Sequence, residues 1–266
     1  MTGLCFDHLS LCDLPALEMI EVAGQLACSS VSLFARPLPI GPYLDLVTDQ
    51  AARRDVMAAL RAHGLSIGIV EPFLLDASPD WPMLERTIAL AVELDGEINA
   101  LSMDADAGRR VDSMARLAEM ARNAGTRMVI EAFSLSPVRT AADALALAEA
   151  CGDDVGLTID TLHVIRTGGT WADIAALPPE RIAHVQVSDG PLAAPADLAV
   201  EATRERLPPG QGEFRLEELI PLLPGHARIA VEAPFAAPAG TTALARGRIA
   251  VEAMRAVMAR ATGQEN

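Results

Sequence analysis

Four segments of this chain stop in the same way. "AARRDVMAALRAHG", "MLERTIALAVELDG", "DSMARLAEMARNAG" and "TAADALALAEACG" carry apolar residues at helical spacing and end at Gly64, Gly96, Gly125 and Gly152. A glycine there suits the left-handed conformation that closes a helix. Each is followed within a few residues by a short apolar run: "LSIGIV", "INALSM", "RMVIEAF" and "VGLTID". The glycines are 32, 29 and 27 residues apart. That is the length of a strand plus a crossover helix and too long for a hairpin, so the strands must run parallel.

The same reading takes in "LCFDHLSL" and "SVSLFA" at the front and "RIAHVQV" and "ARIAVEAPF" behind, giving eight candidate strands. Eight parallel strands with intervening helices predict a closed (β/α)8 barrel. The chain has 266 residues, a length such barrels reach as one unit, so one domain over 1–266 is expected. An open doubly wound sheet is the structural alternative. Against it, no GxGxxG follows the first strand, so the dinucleotide fingerprint of that fold is missing.

In a barrel of this kind the C-terminal ends of the strands converge on one face. The last four strands each deliver a polar group there: Glu131 in "VIEAF", Asp160 in "LTIDT", Gln186 in "HVQVSDG" and Glu232 in "AVEAPF". Any one of these acids, taken singly, would serve equally well as a helix N-cap just beyond a strand. Three carboxylates at one apolar mouth repel one another unless protons or a cation compensate. A divalent cation is the economical answer. Oxygen donors favour Mg2+, Mn2+ or Co2+, with Zn2+ and Fe2+ left open.

Other residues surround this set. His184 and Gln186 are two apart on one strand, so they share a face with Gln186 nearer the mouth, which makes His184 a support for the ligand or a core histidine. His163 and Arg166 follow Asp160 in "DTLHVIRTGG", and Arg206 precedes "LPPGQGEF" in the long Pro/Ala-rich segment after the seventh strand. These three are candidate substrate contacts, Arg206 as a clamp on a carboxylate or phosphate; the alternative for His163 and Arg166 is a surface helix carrying a solvated His and Arg. Strand alternation through "FDHLSL" puts His8 on one face with Phe6 and Ser10, directed into the barrel, as a fourth candidate. Glu71 and Asp104 read as pocket wall or caps, Asp189 before Gly190 as an Asx-turn, and Glu213 as a helix cap. Trp81 and Trp171 read as packing anchors.

Charge and composition narrow the partners. The formal net charge is −15 and no lysine is present. An acidic surface repels polyanions, which argues against nucleic acid as a partner. Without lysine, Schiff-base chemistry and lysine-anchored pyridoxal phosphate are excluded. Four cysteines lack CxxC spacing, and no uncharged apolar run is long enough to span a bilayer, which together predict a soluble protein in a reducing cytoplasm.

With these motifs in place, the chain resembles the xylose isomerase-like TIM-barrel superfamily, which includes sugar isomerases, ketose 3-epimerases, hydroxypyruvate isomerase, inosose and 3-dehydroshikimate dehydratases and a DNA-repair endonuclease. "VIEAF", "DTLHVIRTGG", "HVQVSDGP", "RLPPGQGEF" and "VEAPF" follow the family order. The resemblance implies that Glu131, Asp160, Gln186 and Glu232 hold one divalent metal. It also implies that Glu131 and Glu232 move a proton beside a metal-polarised carbonyl through an enediolate, with His163 and Arg206 touching the substrate. Where ketose epimerases carry a histidine on the seventh strand this chain has Gln186, as in the hydroxypyruvate isomerase and dehydratase branches. The endonuclease branch needs many histidines for its metals, and this chain has five in all. The resemblance therefore implies an isomerase or epimerase of a small polyhydroxy carbonyl compound, a sugar or sugar phosphate, with a dehydratase of the inosose or 3-dehydroshikimate type second and a non-catalytic sugar-binding barrel third. Oligomeric state is left open, a homo-oligomer included.

Overall fold

The computed structural model describes residues 3–263. Among these, eight strands form a closed, all-parallel barrel in chain order: β1 (Cys5–Phe6), β2 (Ser30–Phe34), β3 (Ser66–Leu75), β4 (Glu97–Ser102), β5 (Met128–Glu131), β6 (Gly156–Asp160), β7 (Ile182–Val187) and β8 (Arg228–Val231). β8 closes on β1 through Cys5↔Ala230 and Phe6↔Val231. Helices connect the strands and cover the outside, as right-handed parallel crossovers require.

The helix-ending rhythm has a local cause at each step. Helix Gln50–His63 begins at Asp49, whose carboxylate accepts the Ala51 and Ala52 N–H groups, and buries Ala52, Val56 and Leu60 on one stripe. It ends at Gly64 in the left-handed conformation, as helix Ala107–Ala124 ends at Gly125. Gly96 differs from expectation: Asp95 takes the positive φ, while a Cβ on Gly96 would lie 2.7 Å from Ile67 Cγ2. Close approach to β3, not the turn, demands glycine there. Helix Ala141–Cys151 starts with a reciprocal Thr140/Asp143 capping box.

Two sequence expectations change. β1 is only two residues long, and His8–Leu11 form a 3-10 turn instead of continuing the strand. His8 therefore does not alternate into the barrel. Its ring stacks on Phe34 at 4.7 Å, and its Nε2 lies 3.1 Å from the Leu14 carbonyl. Glu213 caps no helix; it accepts the Leu192 N–H, and Arg215 precedes the short helix Leu216–Leu219.

The pairing of β6 with β7 slips by one residue, from Leu157↔Ile182 to Thr158↔His184, so Ala183 is an extra residue on β7. Beyond the slip, Asp160 pairs with Gln186. The bulge thus sets the phase that places Gln186 level with the end of β6. Trp171 anchors the outer layer by donating its indole N–H to the Phe214 carbonyl, and Trp81 lies under the Arg116 guanidinium. All four cysteines are free, and among the described residues no helix is long and apolar enough to cross a membrane.

Candidate functional site

The strand ends bring five buried carboxyl groups to one end of the barrel: Asp7, Glu71, Glu131, Asp160 and Glu232. Each occupies the last position of its strand, the position just after it, or, for Glu71, a place within β3 level with Phe34 at the end of β2. Asn99 on β4 ties two of them together, donating to Glu71 Oε2 at 3.1 Å and Glu131 Oε2 at 2.7 Å while accepting from the Thr158 hydroxyl. Ser32 donates to Glu71 Oε1, and His184 Nε2 meets Asp7 Oδ2 at 3.1 Å. His184 therefore supports Asp7 in the wall, where the sequence expected it to support Gln186, whose amide is bonded to Glu232 instead.

Asp160 has two functions at once. Its Oδ1 accepts the Leu162 and His163 N–H groups and starts helix Thr161–Arg166, while its Oδ2 receives Arg206 Nη1 at 2.8 Å. The same nitrogen is 3.0 Å from Glu232 Oε2. Arg206 is held from behind by the Ala202 carbonyl, and its backbone N–H bonds Pro234. It is the only arginine lining the cavity among the described residues.

One cation beside five carboxyls cannot keep them all ionised. Burial pushes Glu71 up to about 8, with the Asp7 charge adding to the effect. Burial and the Asp160 and Glu71 charges raise Glu131 well above the usual carboxylate range; burial also raises Glu232, though Arg206 opposes it. Asp160 goes the other way. Burial would lift it, but Arg206, then His163, outweigh burial and hold it at about 2. Burial pushes His163 down to about 4, so its imidazole is neutral near pH 7.

His163 Nδ1 is 3.0 Å from the Ser134 hydroxyl, and its ring meets Phe133 edge-on at 4.6 Å. Its Nε2 points at the acids, 3.6 Å from Asp160 Oδ2 and 3.9 Å from Glu131 Oε1. Gln186 donates its amide to Glu232 Oε1 at 2.8 Å, and its own Oε1, buried, has no hydrogen-bond partner. An orphaned carbonyl oxygen among carboxylates is a poor final state for a dry interior but a ready donor to a hard cation. Ligand atoms from Glu131, Asp160 and His163 lie within 4.8 Å of one another, as do those from Asp7, Glu71 and Glu232. The donor set is able to hold a metal ion.

Of the residues singled out in the sequence, the structure brings Glu131, Asp160, Gln186, Glu232, His163 and Arg206 together. It separates two. His8 borders a neighbouring crevice with Cys12, Arg36 and Tyr43. Arg166 is occupied: its guanidinium grips the Glu201 carboxylate at 2.6 and 2.7 Å, donates to the Pro191 and Leu192 carbonyls and lies over Phe214. Its side chain is 1 % exposed. Arg166 straps the loop after β7 to the barrel and does not reach the cavity. Asp189 anchors the same loop, accepting from Gly190, Gly210 and Phe214 N–H groups, and Asp104 is paired with Arg109 outside the mouth. The sequence reading missed Asp7 and Asn99. Asn99 carried a signal, an amide inside the apolar run "INALSM"; Asp7 was hidden by extending β1 too far.

A (β/α)8 barrel with acids and an amide at the ends of β5 to β8 defines the class. The family model for the xylose isomerase-like TIM barrel matches residues 20–234, and the chain belongs to that family. It is 30 % identical over 214 residues, covering 75 % of this chain, to a 3-dehydroshikimate dehydratase of Pseudomonas aeruginosa. The chain spans about a third of that relative, 32 % of its length. Among solved structures, it is similar to the IolI protein with a bound zinc atom (TM-score 0.74, 15 % identity, 98 % of each chain). It is likewise similar to D-psicose 3-epimerase in the presence of D-fructose (TM-score 0.73, 14 % identity, 99 % of this chain and 100 % of the other). At such identity these structural likenesses speak to the fold alone.

Proposed function

We propose that this chain is a divalent-metal-dependent enzyme that moves a proton at the carbon beside the carbonyl of a small hydroxylated compound, as an isomerase or epimerase. The observation that supports it most is the pairing of Glu131 and Glu232. Both are buried carboxyls with raised proton affinity, and both line one cavity of about 280 Å3 together with His163 and Arg206. A proton-transfer site needs groups able to change protonation near neutral pH, and burial among like charges supplies them.

Glu131, Asp160 and Glu232 with Gln186 Oε1 would hold the cation, which when bound would draw electron density from a substrate carbonyl and acidify the neighbouring C–H. Glu131 and Glu232 serve as base and acid, one accepting the proton and the other returning one. Asn99 holds the Glu131 carboxylate and Gln186 holds that of Glu232, so neither rotates freely. His163, neutral and steadied by Ser134, offers Nε2 to a substrate oxygen. Arg206 places fixed positive charge beside Asp160 and Glu232, where negative charge on substrate oxygen is stabilised. The partner is a small molecule; nucleic acid is disfavoured by the acidic surface.

The test is incubation of the purified protein and Mn2+ with a panel of ketoses and hydroxy-ketones in D2O, read by NMR. Deuterium in recovered or isomerised substrate supports proton transfer, and Glu131→Gln and Glu232→Gln should each slow exchange by about 10²–10⁴. A second reading, a dehydratase, is favoured by the similarity to the Pseudomonas relative. There, loss of water and growth of a conjugated enone absorbance would replace simple exchange. Absence of both, with wild type and variants alike, would leave the sugar-binding barrel.

A further inference from the structure

The cavity has two chemically distinct levels. Its floor carries the charged groups described above. Its collar is nearly all hydrocarbon: Leu38, Leu74, Leu101, Met103, Phe133 and Leu135 lead a wall in which, among the described residues, Thr203 is the only polar side chain above the floor. Leu74, Met103 and Leu135 are 37 %, 42 % and 40 % exposed, among the most exposed large hydrophobic residues described, and all three stand on this one rim. They come from β3, from the residue after β4, and from the turn after β5, so three separate strand ends deliver hydrocarbon to the same place.

A substrate hydroxylated along its whole length would lose water from every hydroxyl on entering and regain hydrogen bonds only at the floor. Polar groups buried without partners are strongly disfavoured. We propose that the substrate is hydroxylated only at its reacting end and carries an apolar substituent of several carbons, aliphatic or aryl, that the collar receives. This rests on the proton-transfer reading of the floor and narrows its substrate class.

Two ligands with the same open-chain head separate the alternatives: 1,3-dihydroxyheptan-2-one and a ketoheptose, whose open-chain forms differ only in whether the four distal carbons are bare or hydroxylated, the ketoheptose affinity being referred to its open-chain fraction measured by NMR. Their affinities for the full chain are measured by calorimetry, and deuterium exchange in D2O is followed in the same samples. The alkyl ketone should bind about tenfold to hundredfold more tightly, a few-fold per buried methylene. Leu135→Asn and Met103→Asn, at exposed positions that the fold tolerates, should bring its affinity towards that of the ketoheptose. Equal or tighter binding of the ketoheptose, or no binding of the alkyl ketone, overturns the proposal. Exchange with ketoheptose preferred leaves the proton-transfer reading standing without it; alkyl preference with no exchange does the reverse. Sedimentation is the control for the rim: a wild-type dimer that Leu135→Glu splits would assign the collar to a second copy and overturn the proposal.

Discussion

Arg206→Met removes the Arg206 guanidinium from the cavity floor while keeping most of the side chain's bulk. In the native protein its Nη1 lies 2.8 Å from Asp160 and 3.0 Å from Glu232, in a side chain 2 % exposed. The contact with the ionised Asp160 is worth roughly 6 kcal/mol of gross attraction at an effective dielectric near 20, but most of that is offset by the desolvation of both partners. The net loss on deleting one partner of a buried pair is about 3–5 kcal/mol. For a chain of this size that lowers the melting temperature by on the order of 10 °C.

The pH dependence carries the sharper information. In the native protein Asp160 is held at about 2, below its unfolded value. Its stabilising contribution is therefore present above the unfolded value and lost as pH falls through about 2. Without Arg206 the burial remains and the compensation does not, so the folded carboxyl binds its proton more tightly than the unfolded one. The contribution then reverses sign, and stability is lost as pH rises. Urea denaturation of metal-free wild type and Arg206→Met should show a deficit of about 3–5 kcal/mol at pH 8 and a smaller one at pH 5. Mn2+ at about a hundred times its dissociation constant should restore roughly 2.7 kcal/mol. A deficit below about 1 kcal/mol, equal at both pH values, would refute the idea that this guanidinium balances the buried acids.

Arg166→Met should cost about 3 kcal/mol in the same denaturation assay, since Glu201 would be left buried and unpaired; a loss within about 0.5 kcal/mol would argue against the strap. Gly212→Ala would place a Cβ 2.3 Å from Asp189 Oδ1 and 2.5 Å from the Gly190 backbone. It should destabilise by about 1–3 kcal/mol through overpacking, with increased protease cleavage in segment 207–214 as the direct readout. Ser134→Ala frees His163 Nδ1 and should lower kcat/KM about tenfold with little change in melting temperature; a large stability loss at unchanged kcat/KM would make the hydroxyl structural only.

The barrel was legible because its signals are local. Helix stops at Gly64 and Gly125, parallel spacing near thirty residues and acids at the ends of β5, β6 and β8 all lie in short windows of sequence, where backbone preference and period decide the outcome. The same rules failed where a local preference met a tertiary demand. β1 stops after Phe6, the chain then enters a 3-10 turn with His8 stacked on Phe34, and nothing in "FDHLSL" marks that stop. Gly96 reads as a helix end yet answers to Ile67 across the sheet.

What the amino-acid order determined by itself was that the acids and the amide at the ends of β5 to β8 arrive at the barrel mouth, since strand period and alternation carry them there. Only the tertiary structure decided what they meet. His163 and Arg166 are three residues apart on one short helix, yet one faces Glu131 across the cavity and the other is locked to Glu201 outside it. Asn99 and Asp7 join the acids from strands far away in sequence. Electrostatic compensation depends on distance in space, as the inverse of the separation and with little screening in a dry interior, and no window of sequence encodes that distance.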